Sequence, residues 1–304
     1  MTATDAYYIK LGTGGKWAED SITRGIARIG WSEVPIDLIR ERDWAAIDAI
    51  VRPLNKSPGA ATSDARALQR FVLSKPDDIW TTFHDSRMWW GRLREGEIDQ
   101  DEISKYRVLV GGWSDKSATG SALLINQLPG CLAQLQGFRA TICKVHADEV
   151  LRRVLSATPS PEFEAVSQAR NTLAAEVEKA IRLLHWKDFE LLVDLVFRQS
   201  GWRRTSLLGE TMRSVDLELE DTVAGDKYQV QVKSRADRAV LAACEAEFCA
   251  ESFRRFYLVV HSPQGGLEAV DTPTDADVQL VKIDRLATMV VDAGLTGWLL
   301  DKIR

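Results

Sequence analysis

Two stretches of strict two-residue alternation lie close together in the second half of this 304-residue chain: "SVDLELE" (214–220) and "YQVQVKS" (228–234), joined by the turn-rich "DTVAGDK". A period of two matches a strand and not a helix, so the pair reads as a β-hairpin. Tyr228, Val230 and Val232 then share one face of the second strand, while Gln229, Gln231 and Lys233 share the other. On the first strand Asp216, Glu218 and Glu220 lie on one face, and across the turn Gln231 and Lys233 can lie beside Asp216. Alternation of this kind ordinarily means one wet face of an antiparallel sheet. The order of the surrounding parts points further.

Ahead of the hairpin, "EFEAVSQARNTLAAEVEKAIRLL" predicts a long helix. The following "WKDFELLVDLVFRQSGW" predicts a second, with Phe189, Leu192, Val193, Val196 and Phe197 at helical spacing and Gly201 ending it. Behind the hairpin come a helix over "ADRAVLAACEAEFC", a buried strand "RFYLVVHS", and "VQLVKIDRLATMVVDAGL". A carboxylate, an amide oxygen and an ammonium would converge at one end of such a sheet, with Glu190 of the preceding helix able to add a second carboxylate. Oxygen ligands in a sparse site suit Mg²⁺, which keeps several waters, with Mn²⁺ as the alternative. A nearby lysine can orient a water and stabilise charge gathering on a phosphodiester.

The segment "SATPSPEF" (156–163) marks a domain boundary, which assigns residues 1–155 and 162–304 to separate domains. The length fits two domains of about 150 residues each, and 45% hydrophobic content supplies apolar surface for two cores. Before the boundary, "YYIKLGTGGKW", "GIARIGW", "DDIWTTFHD", "RMWWGRL", "YRVLVGGW" and "FRATICKV" predict short strands; helices are expected near "DLIRERDWAAIDAIV" and "SDARALQRFVLS". No apolar run approaches the roughly 20 residues that span a bilayer, and no basic, apolar leader opens the chain, so a soluble cytoplasmic protein is expected. Cys131, Cys143, Cys244 and Cys249 form no CxxC pair and no zinc spacing; reduced core thiols are expected. The four histidines are scattered; His146, His185 and His261 each border an apolar run, which points to packing, and none is assigned chemistry. Residues 1–155 carry 21 Lys and Arg against 20 Asp and Glu, and residues 156–304 carry 18 against 24. Any nucleic-acid partner must therefore be held by local basic patches, bridging metal ions or a pocket.

The run of "KDFELLVDLVFRQSGW", "SVDLELE" and "YQVQVKS", in that order, resembles the Mrr-like branch of the PD-(D/E)xK restriction endonuclease superfamily over roughly residues 180–300. The resemblance implies a metal-dependent DNA endonuclease whose mixed sheet is flanked by helices, with glutamine replacing the second acidic residue. It implies Asp216 as principal metal ligand, Gln231 as the second, Lys233 as the water-activating lysine, Glu190 as the helix carboxylate and the Val232 carbonyl as a further ligand. The segment "GETMRSVD" before Asp216 departs from the glycine-rich approach of that branch.

Seven of the ten tryptophans fall in the first 113 residues, and rings of that size are ordinarily core, although one of the adjacent pair Trp89 and Trp90 is expected to face something other than the main core. "YYIKLGTGGKWAEDSITRGIARIGW", "DDIWTTFHDSRMWWGRL" and "GFRATICKV" are similar to an EVE- or PUA-like β-barrel with helices, a fold that reads modified nucleobases. The resemblance implies a modified-base pocket, for which Trp17, Trp31, Trp80, Trp89, Trp90 and Trp113 are the candidates. Adjacent Trp89 and Trp90 must point to opposite faces of a strand. Lys16, Arg87 and Arg92 are the candidate DNA-phosphate contacts, with Arg24, Arg28, Arg94 and Arg139 nearby. The fold expected is thus α+β and α/β, a reader barrel followed by a restriction-endonuclease-like mixed sheet. The function expected is a modification-dependent endonuclease acting on double-stranded DNA, with a homodimer to cut both strands. The alternatives are a nuclease released by a nucleotide signal bound to the first domain, and a binding module on an inactive nuclease fold.

Overall fold

The run "AYYI" is buried at all four positions and forms strand β1 (Ala6–Ile9), an interior strand of a four-stranded sheet, as a short continuous apolar segment requires. The structure, a computed structural model, describes residues 4–54, 58–96, 98–205 and 216–304. The chain divides into two units, residues 1–160 and 161–304.

In the first unit a glycine turn leads from β1 into α1 (Ala18–Arg24). Gly12 has φ +80°, and a Cβ there would meet Lys16 Cγ and the Trp17 ring at 2.9 Å, so only glycine lets this loop fold over Trp17. There follow β2 (Ile26–Ile29), α2 (Ile36–Glu41), α3 (Trp44–Leu54), α4 (Pro58–Val72), β3 (Ile79–His84), β4 (Arg87–Gly91), β5 (Asp99–Gln100), β6 (Lys105–Val108), α5 (Gly130–Ala133), β7 (Ile142–Lys144) and α6 (Asp148–Ser156). Asp85 and Ser86, at φ 48° and 58°, make the tight β3–β4 turn.

The expected barrel does not close. The strands form one sheet ordered β4-β3-β1-β7 and another ordered β2-β6-β5, joined through the isolated Leu93–Leu109 bridge. A barrel needs an unbroken hydrogen-bond ladder around its circumference. Among the described residues β2 and β5 end the smaller sheet, and the helices between β2 and β3 cover the core instead, through Ile39, Ile47, Val51, Leu68 and Phe71.

In the second unit Pro161 opens α7 (Pro161–Ile181), where its missing N–H has no intrahelical partner to lose. Next come α8 (Trp186–Gln199), β8 (Trp202–Arg204), β9 (Leu217–Asp221), β10 (Lys227–Ala236), α9 (Arg238–Glu247), β11 (Arg255–Pro263), β12 (Val278–Lys282), α10 (Ile283–Asp292) and α11 (Thr296–Ile303). They build a mixed five-stranded sheet ordered β12-β11-β10-β9-β8, parallel from β10 to β12 and antiparallel at β9 and β8. Val230, Val232 and Val259 face a core supplied by α7, α8 and α10, while Leu258 and Val260 face α9 through Leu241 and Cys244. β8 and α11 had no counterpart in the sequence reading. "GETMRSV" (209–215) lies outside the described residues. All four cysteines are free; Cys244 is buried, but Cys249 is exposed, so the expectation of core thiols fails there.

The smaller sheet of the first unit carries buried cations. Arg28 is fully buried and donates to both carboxylate oxygens of Asp101 at 2.8 Å and to Asp20 at 2.8 Å. The Arg28 guanidinium, aided by the Ser104 and Ile103 amides, holds the Asp101 carboxyl well below the ordinary carboxylate range. Because the folded pKa is depressed, the stabilisation is complete above the ordinary range and is lost as pH falls through the folded value. Asp101→Asn is expected to cost about 3 kcal/mol near neutral pH by leaving Arg28 underpaired. It should also flatten the acid limb of the stability profile, as urea unfolding from neutral pH downward will show.

Candidate active site

The β9–β10 register sets the geometry of the site. Leu217 stands opposite Val230, so Asp216, one step beyond the ladder, is level with Gln231. The Asp216 N–H donates to the Val230 carbonyl at 3.1 Å, and its Oδ2 accepts the Val232 N–H at 2.7 Å. β10 continues to Ala236 against β11, but its β9 side ends here, and the carboxylate takes the place of the missing strand. Within a strand the N–H and C=O of one residue project the same way, so the Val232 carbonyl also points to the Asp216 side.

α8 brings Glu190 to this end of the sheet, because its neighbour Phe189 is buried against the valine face of the hairpin. Glu190 is half-buried; burial first, and the Asp216 charge second, push its carboxyl above the ordinary value, with Lys187 opposing. Asp216 and Glu190 therefore share one electrostatic environment. Lys233 lies on the opposite, α9 side of β10, partly buried, where its charge acts on Cys244. It makes no ion pair among the described residues.

Gln231 departs from the expected arrangement. It is buried, and its Oε1 accepts from the Cys244 thiol at 3.4 Å, because strand alternation turns it under α9. Its amide oxygen is directed to that packing contact rather than to the Asp216 end.

Among the described residues no group of three or more His, Cys, Asp and Glu side chains could hold a metal ion unaided. The fit must rest on Asp216, Glu190 and the Val232 carbonyl, a small set of hard oxygen donors of the kind Mg²⁺ accepts while retaining waters. A divalent ion held by these oxygens would act as a Lewis acid and would lower the pKa of a bound water. The chain's own contributions are the Asp216 carboxylate, a Glu190 carboxyl whose pKa is raised, and the Lys233 ammonium, which can stabilise negative charge developing nearby.

The first-unit candidates separate. Trp80 is fully buried against Tyr7 and Phe71, with its indole N–H on Ser74 Oγ at 2.8 Å. Trp113 is buried and donates to the Ile26 carbonyl at 2.8 Å. Trp89 and Trp90 do point to opposite faces, but each packs on a core cluster, with indole N–H groups on the His84 and Lys116 carbonyls. These four rings are framework: large rings with a satisfied N–H serve packing best.

Trp17 is different. It lines a cleft of about 220 Å³ together with Lys10, Gly12, Thr13, Lys16 and Arg139. Lys16 Nζ sits 4.8 Å from the Trp17 ring centroid, and Lys10, Lys16 and Arg139 are in no ion pair among the described residues. Gly30 also lines the cleft, and the next residue, Trp31, has φ 58°, an unfavourable conformation for a bulky side chain. The buried Lys105 ammonium holds the Trp31 carbonyl at 2.9 Å. Of the expected phosphate contacts, Lys16 reaches the cleft, Arg87 is paired with Asp115, and Arg92 lies over Trp90 at 5.8 Å. Lys10 was missed by sequence reasoning; its position two residues before the Gly12 turn was the available signal.

Asp216→Asn is expected to lower the Glu190 titration midpoint while leaving it above the ordinary glutamate value, since burial remains. Carboxyl ¹³C titration by NMR will check this. Compared with known families, curated proteins and solved structures the chain gives no match, so the site stands on its own geometry.

Proposed function

We propose that this protein is a modification-dependent DNA endonuclease: the first unit recognises an altered base and the second hydrolyses the phosphodiester backbone with Mg²⁺. The observation that carries the reading is the end of the β9–β10 hairpin, where Asp216 caps Val232 with Glu190 in electrostatic reach and Lys233 one residue further along β10. A mixed sheet with helices on both faces, in the order helix, hairpin, helix, strand, supports a restriction-endonuclease-like assignment of the second unit. In this reading the substrate is double-stranded DNA, and a homodimer supplies one site for each strand.

For the first unit, an EVE- or PUA-like reader is supported by the cleft that gathers Trp17 with Lys10, Lys16 and Arg139. An aromatic wall beside cations suits a base extruded from the duplex together with its phosphate. The same cations favour a second reading, a nucleotide signal that releases the nuclease. The cleft volume of about 220 Å³ falls below the roughly 300–1,000 Å³ usual for small-molecule sites. That size favours a single base over a whole signal molecule.

Incubation with Mg²⁺ and a panel of unmodified, methylated, hydroxymethylated, glucosylated and phosphorothioate DNAs tests the proposal: selective digestion of one member supports it. Digestion of plain plasmid only after a nucleotide is added favours the second reading. Lys233→Ala is expected to lower cleavage by about 10²–10³-fold, the scale of losing one transition-state charge partner, with binding unchanged; full cleavage by the variant would remove the lysine from the mechanism. Trp17→Ala should weaken binding to the preferred DNA by about 1–3 kcal/mol. An equal loss on unmodified DNA in a mobility-shift titration would separate Trp17 from base recognition.

A further inference from the structure

The first unit has a second cleft, of about 480 Å³, beside the end strand β7; its described lining includes Arg70, Gln134, Leu135, Phe138, Cys143 and His146. That volume, unlike the one beside Trp17, lies within the roughly 300–1,000 Å³ usual for small-molecule sites. Leu135 and Phe138 are half-buried on the core cluster that holds Tyr8, and the Phe138 ring stands perpendicular to Tyr8 with centroids 6.4 Å apart. They give the cleft an apolar wall that contains an aromatic ring. Gln134 donates from Nε2 to the Cys131 carbonyl at 3.2 Å, so its amide oxygen and the His146 ring are the neutral polar groups beside that wall.

Arg70 supplies the charge. It is half-buried on α4, and among the described residues its guanidinium has no hydrogen bond or ion pair. Its charge reaches the cleft lining: burial pushes the Cys143 thiol up to about 11, with Arg70 opposing. Burial first, then Asp5 and Asp78, push the Tyr7 hydroxyl up to about 12, again with Arg70 opposing. Those two carboxylates are committed elsewhere. Asp5 holds Lys144 at 2.7 Å and the Tyr7 hydroxyl at 3.1 Å, and Asp78 accepts the Asp5 and Lys75 N–H groups at 3.0 and 2.8 Å. Arg28, Lys105 and Arg107 of the same unit all have oxygen partners, whereas Arg70 keeps a planar donor fork with no acceptor among the described residues. Arg66 stands one turn earlier on the same side of α4, about 6 Å along the axis. With Ser63 and Arg70 it lines a further cleft of about 460 Å³. Arg66 makes no ion pair among the described residues, and the described lining of neither cleft includes a carboxylate.

We infer that the two clefts sharing Arg70 bind a free nucleoside phosphate, its base against Phe138 and Leu135 and its phosphates on Arg70 and Arg66. An aromatic wall suits the base, and guanidinium forks without a carboxylate suit the phosphate oxygens. With the second cation one turn away, a diphosphate is favoured over a monophosphate. The site is separate from the Trp17 cleft and from the Asp216 end of the second unit, so it does not rest on the nuclease reading. Calorimetric titration of the full chain in EDTA with ADP, GDP, CDP and UDP, their monophosphates and their nucleosides tests it. At least one diphosphate is expected to bind, and Arg70→Gln to weaken it about 10–100-fold, the scale of losing a hydrogen bond to a charged group. Arg66→Gln should weaken the diphosphate and leave the monophosphate little changed. Phe138→Leu should weaken the nucleotide about tenfold, the scale of one stacked base, without changing the affinity for inorganic pyrophosphate.

No binding of any of these compounds at millimolar concentration overturns the inference, as does unchanged affinity in Arg70→Gln and Arg66→Gln variants whose melting temperatures are unaltered. Binding lost in Trp17→Ala and kept in Arg70→Gln moves the nucleotide to the other cleft and overturns it as well. If duplex DNA displaces the nucleotide and Arg70→Gln weakens both alike, the clefts carry nucleic-acid backbone and the free-nucleotide assignment falls. A protein that binds the nucleotide yet cuts no DNA in Mg²⁺ leaves the inference standing while the hydrolytic reading fails. Intact cutting with no nucleotide bound sinks the inference alone.

Discussion

The hydrogen bond from the Val232 N–H to the Asp216 carboxylate is the contact on which the architecture of the second unit turns. β10 is paired on both sides as far as Val230 and on one side from there to Ala236. A backbone N–H left open inside a sheet is costly, and a side-chain carboxylate is the nearest acceptor that can stand in for a departing strand. Filling that role fixes Asp216 in the plane of the sheet, with Glu190 approaching from the α8 side and Lys233 held on the α9 side. The candidate chemistry is measured from that point.

The first unit solves a different problem. Its smaller sheet buries Arg28, Lys105 and Arg107, and each cation is given oxygen partners: carboxylates for Arg28, main-chain carbonyls for Lys105 and Arg107. Buried charges need such satisfaction. Burial disfavours the charged form of both Lys105 and Arg107. What Lys105 secures is the Trp31 carbonyl, on a residue with unfavourable backbone geometry next to the cleft. Strain held by a buried cation beside a cationic cleft is an arrangement found where a fold positions something for a ligand.

Where periodicity is strong, the sequence was a reliable guide. The alternation of "YQVQVKS" specified a strand and its two faces, and the spacing from Phe189 to Phe197 specified α8 and its buried side. Adjacent Trp89 and Trp90 had to diverge, and they do. Weak local signals were lost: β8 has three residues, and α11 follows a turn with no cap of its own. Tryptophan content misled, because a ring's size says that it will be buried without saying whether by protein or by ligand. Trp80 and Trp113 are core, while Trp17 reaches a cleft through the glycine turn that precedes it.

The sequence by itself determined which residues share a strand or a helix face, since that depends only on the local repeat of the backbone. It therefore placed Gln231 and Lys233 on one face of β10 and Asp216 at the end of the neighbouring strand. Only the tertiary structure decided what each face meets. It turned Gln231 toward Cys244, buried Arg28 against Asp101 and left the sheets of the first unit unclosed. Those outcomes depend on packing and charge pairing between segments far apart in the chain, and no local repeat encodes them.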